Sequence, residues 1–115
     1  MGKKCTGVEK TLAVVSGKWT SMILYHLYTN EKLRFGELRR ALPGITQKML
    51  TSDLRELEKH RIIERKVYPQ VPPKVEYCIT DHGKTLLPLL EQMDEWGDAH
   101  AQQTLDPSAS TIHSI

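Results

Sequence analysis

A chain of 115 residues, 26% charged and 39% apolar, has the length and make-up of one globular domain. No run comes near the ~20 apolar residues of a membrane helix, and Met1-Gly2-Lys3-Lys4-Cys5-Thr6 carries charge with no apolar stretch behind it, so neither a membrane partner nor a secretory leader is expected. The setting read from this is cytoplasmic, where two cysteines form no structural disulfide.

In chain order, Thr6-Gly7-Val8-Glu9 has the spacing of a capping box with Thr6 at the N-cap, and Val8, Leu12 and Val15 follow on one helical face. Ser16-Gly17 breaks that helix. A second helix is expected from Lys18 to Tyr28, with Trp19, Met22, Ile23 and Leu27 inward. Leu33-Arg34-Phe35 is a short extended piece before a third helix over Gly36–Leu42, which Pro43-Gly44 ends. Thr46 is a good cap for a fourth helix that ends near His60. Its apolar stripe is Leu50, Leu54 and Leu57, and its other face carries Gln47, Lys48, Thr51, Ser52, Arg55 and Lys59.

Two strands are expected next, Ile62–Tyr68 and Lys74–Ile79, the second with Val75, Tyr77 and Ile79 on one face and Cys78 on the other. Pro69, Pro72 and Pro73 between them belong in an exposed, stiffened hairpin tip, because proline cannot donate to a ladder. Thr80 caps a last helix with Leu86, Leu87, Leu90, Met93 and Trp96 on its apolar side and Pro88 as a kink inside it. The residues from about Thr104 show no periodicity.

Charge is unevenly placed. Lys and Arg against Asp and Glu number four to one in residues 1–30, eleven to seven in 31–76, and one to six in 77–115. A basic body with an acidic C-terminal third points to a polyanion partner for the body alone. The order of elements then matters. A helix pair joined by a Pro-Gly turn, followed by a stiff hairpin, is the order of a helix-turn-helix with a wing, whose second helix enters the DNA major groove. On that helix Gln47 can read adenine, Arg55 can read guanine, and Thr51 and Ser52 can meet base edges or phosphate. Arg39, Arg40 and Lys74 suit phosphate contacts that set register. An ordinary solvated helix shows similar residue types, but it favours Glu and Lys over small hydroxyl residues.

The motifs Gly17-Lys18-Trp19-Thr20-Ser21-Met22-Ile23-Leu24, Arg34-Phe35-Gly36-Glu37-Leu38-Arg39-Arg40 through Thr51, Leu54–Glu58, Val67–Tyr77 and Thr80–Leu90, together with the early Cys5, resemble the HxlR-type family of bacterial regulators, a winged-helix group related to MarR-like proteins. The resemblance covers about residues 5–97. It implies an α+β, mainly α, winged helix-turn-helix with a two-stranded β-hairpin wing and terminal dimerisation helices, binding a double-stranded DNA operator as a homodimer. In it Ile45-Thr46-Gln47-Lys48 opens the recognition helix and Val71-Pro72-Pro73-Lys74 forms the wing. The expected domain is 1–103, with 104–115 a flexible tail. A dimer also follows from size: one domain this small cannot cover Val8 and Leu12 of the first helix and Leu87, Leu90, Met93 and Trp96 of the last, whereas a two-fold dimer can.

Cys5 stands before a helix N-terminus beside Lys3 and Lys4, a setting that favours thiolate. It is the candidate sensor for a redox or small-molecule effector, and packing near the dimer seam is its other reading. Cys78 reads as structural. His26, His60, His82, His100 and His113 form no metal-ligand spacing, and no cofactor motif is present. Repression, or less often activation, of nearby genes is the expected function. The alternative is a winged-helix protein–protein interaction module without specific DNA binding. An enzyme using Cys5 as nucleophile lacks a His or Asn placed to activate it.

Overall fold

The computed structural model describes residues 6–105. The elements are α1 (Thr6–Val15), α2 (Thr20–Thr29), β1 (Leu33–Arg34), α3 (Phe35–Ala41), α4 (Gln47–Lys59), β2 (Ile63–Tyr68), β3 (Lys74–Ile79), α5 (Asp81–Lys84) and α6 (Leu87–Leu105). The chain divides after Lys84 into two units, the second holding α6.

In the first unit the expected apolar stripes meet, except that Met22 of α2, expected inward, is 44% exposed. Ile23, Leu24 and Leu27 of α2, Leu38 of α3, Leu42, and Leu50, Leu54 and Leu57 of α4 are at most 2% exposed. Each such side chain contributes about 1.5–3 kcal/mol by leaving water, which is what fixes three short helices that are marginal alone. Trp19 and Val15 extend this core, whereas Val8 and Leu12 of α1 remain 58% and 49% exposed.

The ends of the helices follow local chemistry. The backbone N–H of Arg34 donates to Glu37 Oε1 (2.8 Å) at the start of α3. The α3–α4 turn needs the left-handed φ of +94° that Gly44 supplies. α4 ends in a Schellman motif: Ile62 N–H donates to the Leu57 carbonyl and Arg61 N–H to the Glu58 carbonyl, both at 2.9 Å. Arg61 takes the left-handed position there, at φ 61°. Thr80 Oγ1 accepts from Gly83 N–H (2.9 Å), so Thr80 does cap the helix after β3. Gly83 is required by close approach, since a Cβ there would lie 2.2 Å from the Ile62 carbonyl oxygen.

Several expectations need correcting. The sheet has three strands in the order β1-β3-β2, not the two of a lone hairpin. Leu33 pairs with Tyr77 and Arg34 with Glu76, antiparallel, which anchors β3 on both sides. Thr6 is already helical instead of standing before the helix, and α2 starts at Thr20, two residues past Lys18. The last helix is two: α5 stops at Lys84, and Pro88 sits in the first turn of α6, where the missing N–H has no intrahelical partner to lose. It therefore starts a helix and kinks none. α6 continues to Leu105, past the expected boundary at 103.

In the second unit α6 has no buried residue. Leu87, Met93 and Trp96 are 37%, 43% and 68% exposed, Leu90 is half-buried, and the Trp96 ring stacks on His100 at 4.8 Å. Among the described residues no helix is long and apolar enough to cross a membrane.

Candidate nucleic-acid interface

α4 is held by its buried leucines and by its cap. Thr46 Oγ1 accepts from the Met49 N–H at 3.1 Å, as its position before the apolar stripe predicts. With Leu50, Leu54 and Leu57 turned inward, the helix shows solvent the other side: Gln47, Lys48, Ser52 and Arg55 are exposed and Thr51 is half-buried. The sequence groups these five with Lys59, and the structure brings the five onto one surface that Lys59 does not border. Asp53 lies half-buried on the flank, and burial pushes its carboxyl above the usual value.

The wing stands beside this helix. A groove of 460 Å³ between α4 and the sheet is bordered by Gln47, Thr51, Arg55 and Glu58 from the helix and by Arg65 and Tyr77 from β2 and β3. Gln47, Thr51 and Arg55, spaced by four, border both this groove and the outer surface, so they form the edge of α4 nearest the wing. Arg65 was missed by sequence reading. It pairs in register with Tyr77, on the face shared with Ile63 and Val67, and is exposed. The period of two in Ile63-Glu64-Arg65-Lys66-Val67 carried that signal, but only the packing of β2 against α4 shows where the face points.

The phosphate candidates fare unequally. Arg39 and Arg40 are exposed on α3, and Pro73 is exposed at the hairpin tip. Lys74 is turned back. Its ammonium lies 3.4 Å from Glu76 Oε2 and 5.1 Å from the centre of the Tyr68 ring, and its side chain is 29% exposed. The reason is the buried acid beneath it. Glu76 is 6% exposed; burial alone would raise its carboxyl, but the Tyr68 hydroxyl and the Lys32 and Lys74 ammonium groups together hold it below its ordinary value. Lys74 is therefore a structural partner of Glu76 in this conformation. Cys5 lies outside the described residues. Cys78 is a half-buried free thiol on the sheet face opposite Tyr77, as the alternation predicts. Among the described residues, no group of three His, Cys, Asp or Glu could hold a metal ion.

Comparison with known proteins agrees with this arrangement. A family model described as HxlR-like helix-turn-helix matches residues 14–105. The HTH-type transcriptional regulator YybR of Bacillus subtilis (strain 168) is 54% identical over 93 residues, 81% of this chain and 74% of its own. Among solved structures, the redox regulator HypR in its reduced form superposes with a TM-score of 0.78 at 53% identity, covering 83% of this chain and 93% of its own. The reduced form of the transcriptional regulator YodB from B. subtilis superposes with a TM-score of 0.74 at 34% identity, over 84% and 93% of the two chains.

Proposed function

The chain belongs to the HxlR-like helix-turn-helix family, and from that premise we propose that it is a sequence-specific DNA-binding transcriptional regulator acting as a homodimer. The observation that carries the reading is the exposed face of α4: an amide, two hydroxyls and two cations on a helix whose other side is locked into the core, flanked by a hairpin. Gln47 and Arg55 read base edges, Thr51 and Ser52 meet bases or phosphate, and Lys48 and the N-terminal end of α4 at Thr46 face the backbone. Arg39 and Arg40 clamp phosphate, and the wing tip at Pro73 reaches the neighbouring groove. Arg65 joins this set from β2.

Arg55 supplies the test of base reading. Arg55→Ala is expected to cost about 1–3 kcal/mol on the preferred operator and to relax preference at one base pair, measured by competition among single-base operator variants. A uniform loss over all variants would show that Arg55 contacts phosphate only.

The homodimer rests on the apolar residues α1 and α6 leave exposed, Val8 and Leu12 on one and Leu87, Met93 and Trp96 on the other, with Leu90 beside them. Dimer two-fold symmetry sets two α4 helices about 34 Å apart, one turn of B-DNA. The response is carried over from HypR, a redox regulator by name. Cys5, with Lys3 and Lys4 beside it, is the thiol assigned to sensing oxidants or electrophiles. Diamide should alter operator affinity of the unmodified chain and leave Cys5→Ser unaffected; an equal response in Cys5→Ser would remove Cys5 from the account.

A further inference from the structure

The entry into α2 holds donors that the protein itself does not use. Trp19 stands at the N-cap and makes no side-chain cap hydrogen bond. The Thr20 N–H donates to the Gly17 carbonyl (3.2 Å) and the Ile23 N–H to the Trp19 carbonyl (2.9 Å), but the Ser21 and Met22 N–H groups between them have no acceptor among the described residues. Both residues are exposed. The first N–H groups of a helix carry the positive end of its dipole. At the same place the Trp19 side chain is buried, with the residue 9% exposed, and its indole N–H also finds no acceptor among the described residues. A buried donor left unpaired is costly and leaves its surroundings positive.

Lys18 adds a full charge. Packing takes up Trp19 and Thr20, whereas Lys18 is exposed and makes no ion pair among the described residues. Its ammonium lies 5.4 Å from the centre of the Trp19 ring, whose face holds it. The far end of that ring reaches the α3–α4 turn: Trp19 Cη2 would lie 3.8 Å from a Cβ on Gly44, two residues before the Thr46 cap of α4. A single indole therefore links Lys18 to the start of the helix that carries Gln47 and Arg55. The sequence keeps both segments free of opposing charge. Residues 10–30 contain no Asp or Glu, and neither do residues 38–52, which include the turn.

We infer that the start of α2 is a second phosphate site, in which Lys18 and the Ser21 and Met22 N–H groups take one phosphodiester of the strand beside the groove that α4 enters. An oxyanion with several acceptor oxygens matches an ammonium set next to free helix N–H groups. The reach is suitable, because the major groove is only about 12 Å wide and its edging strand passes close to the end of a helix lying in it. Trp19 is the positioning residue: it fixes the ammonium and the turn relative to each other. The contact sets register and carries no base preference. It presupposes the DNA-binding reading of α4.

The test uses the full chain and the duplex it selects from a random pool. Lys18→Gln spares the core, since Lys18 is exposed. It should weaken the selected and a scrambled duplex by the same factor, about three- to ten-fold, and lower the slope of log affinity against log salt by about 1, with base preference unchanged. Neutral methylphosphonate placed at one phosphate at a time should then weaken the unmodified chain at a phosphate where Lys18→Gln shows no further loss. Amide signals of Ser21 and Met22 should move with the duplex and stay in place with inorganic phosphate at the same phosphate concentration. Saturable movement with inorganic phosphate alone would assign the site to a free anion and overturn the DNA contact. An unchanged salt slope and an unchanged methylphosphonate profile in Lys18→Gln would overturn it too, and would leave the reading of α4 standing. Failure of the unmodified chain to prefer any duplex would overturn both.

Discussion

Glu76 shows how one side chain organises its surroundings. It is a carboxylate in the middle strand, buried, with Arg34 and Lys66 as register partners on either side and Lys32 and Lys74 paired to it. Its carboxyl is held below the ordinary value of 4.5 by the Tyr68 hydroxyl and the two ammonium groups, against the upward push of burial. A group whose folded value is depressed stabilises the fold above its unfolded value and loses that contribution as pH falls through the folded one. Glu76→Gln is therefore expected to lower the midpoint of chemical denaturation at neutral pH and to flatten its decline below pH 4.5. Thermal or urea melts of both proteins at a series of pH values check this; parallel curves would show that the carboxylate contributes nothing by its charge. The residue's burial was not legible in the sequence. Period two in Lys74–Ile79 places Glu76 opposite Tyr77, but only the pairing with β1 covers it.

At the scale of the element, α4 is specified by neighbours in sequence. Thr46 caps it, three leucines at helical spacing bury it, and a left-handed residue after His60 ends it. Thr46→Ala is expected to cost about 1 kcal/mol, because the Met49 N–H loses its acceptor. The checks are urea denaturation and a parallel loss of operator affinity, since the residues proposed to read bases start at the next position; full retention of stability would mean that the cap is replaced by water. Locally coded features of this kind were readable beforehand: the Pro43-Gly44 turn, the Thr46 and Thr80 caps, β3 to its ends, and the polar face of α4. Features set by distant partners were not. Leu33-Arg34 is extended by itself, yet becomes a strand only through Tyr77 and Glu76. Lys74 looks like a free cation at a hairpin base until Glu76 and Tyr68 claim it. Arg65 belongs to the groove because β2 packs on α4. Pro88 has two compatible readings, a kink or a first turn, and the break after Lys84 decides between them.

For the whole molecule, the charge distribution and the exposed apolar faces act together. Residues 1–76 hold fifteen of the sixteen cations, so the unit bearing α4 carries the attraction for phosphate, while residues 77–115 are acidic. In the proposed homodimer, two copies joined through α1 and α6 would double the phosphate contacts and impose a two-fold axis on the operator. The measurement that bears most directly on sequence-specific binding starts from a random duplex pool selected on the purified protein, followed by fluorescence anisotropy on the recovered duplex and a scrambled one across a salt series. The account predicts a recovered sequence with two half-sites related by a dyad about 10 base pairs apart. It predicts affinity roughly 10³-fold or more above the scrambled duplex, with both falling steeply as salt rises. A pool that enriches no sequence, or equal and salt-insensitive binding to both duplexes, would contradict it and leave the interaction-module reading in its place.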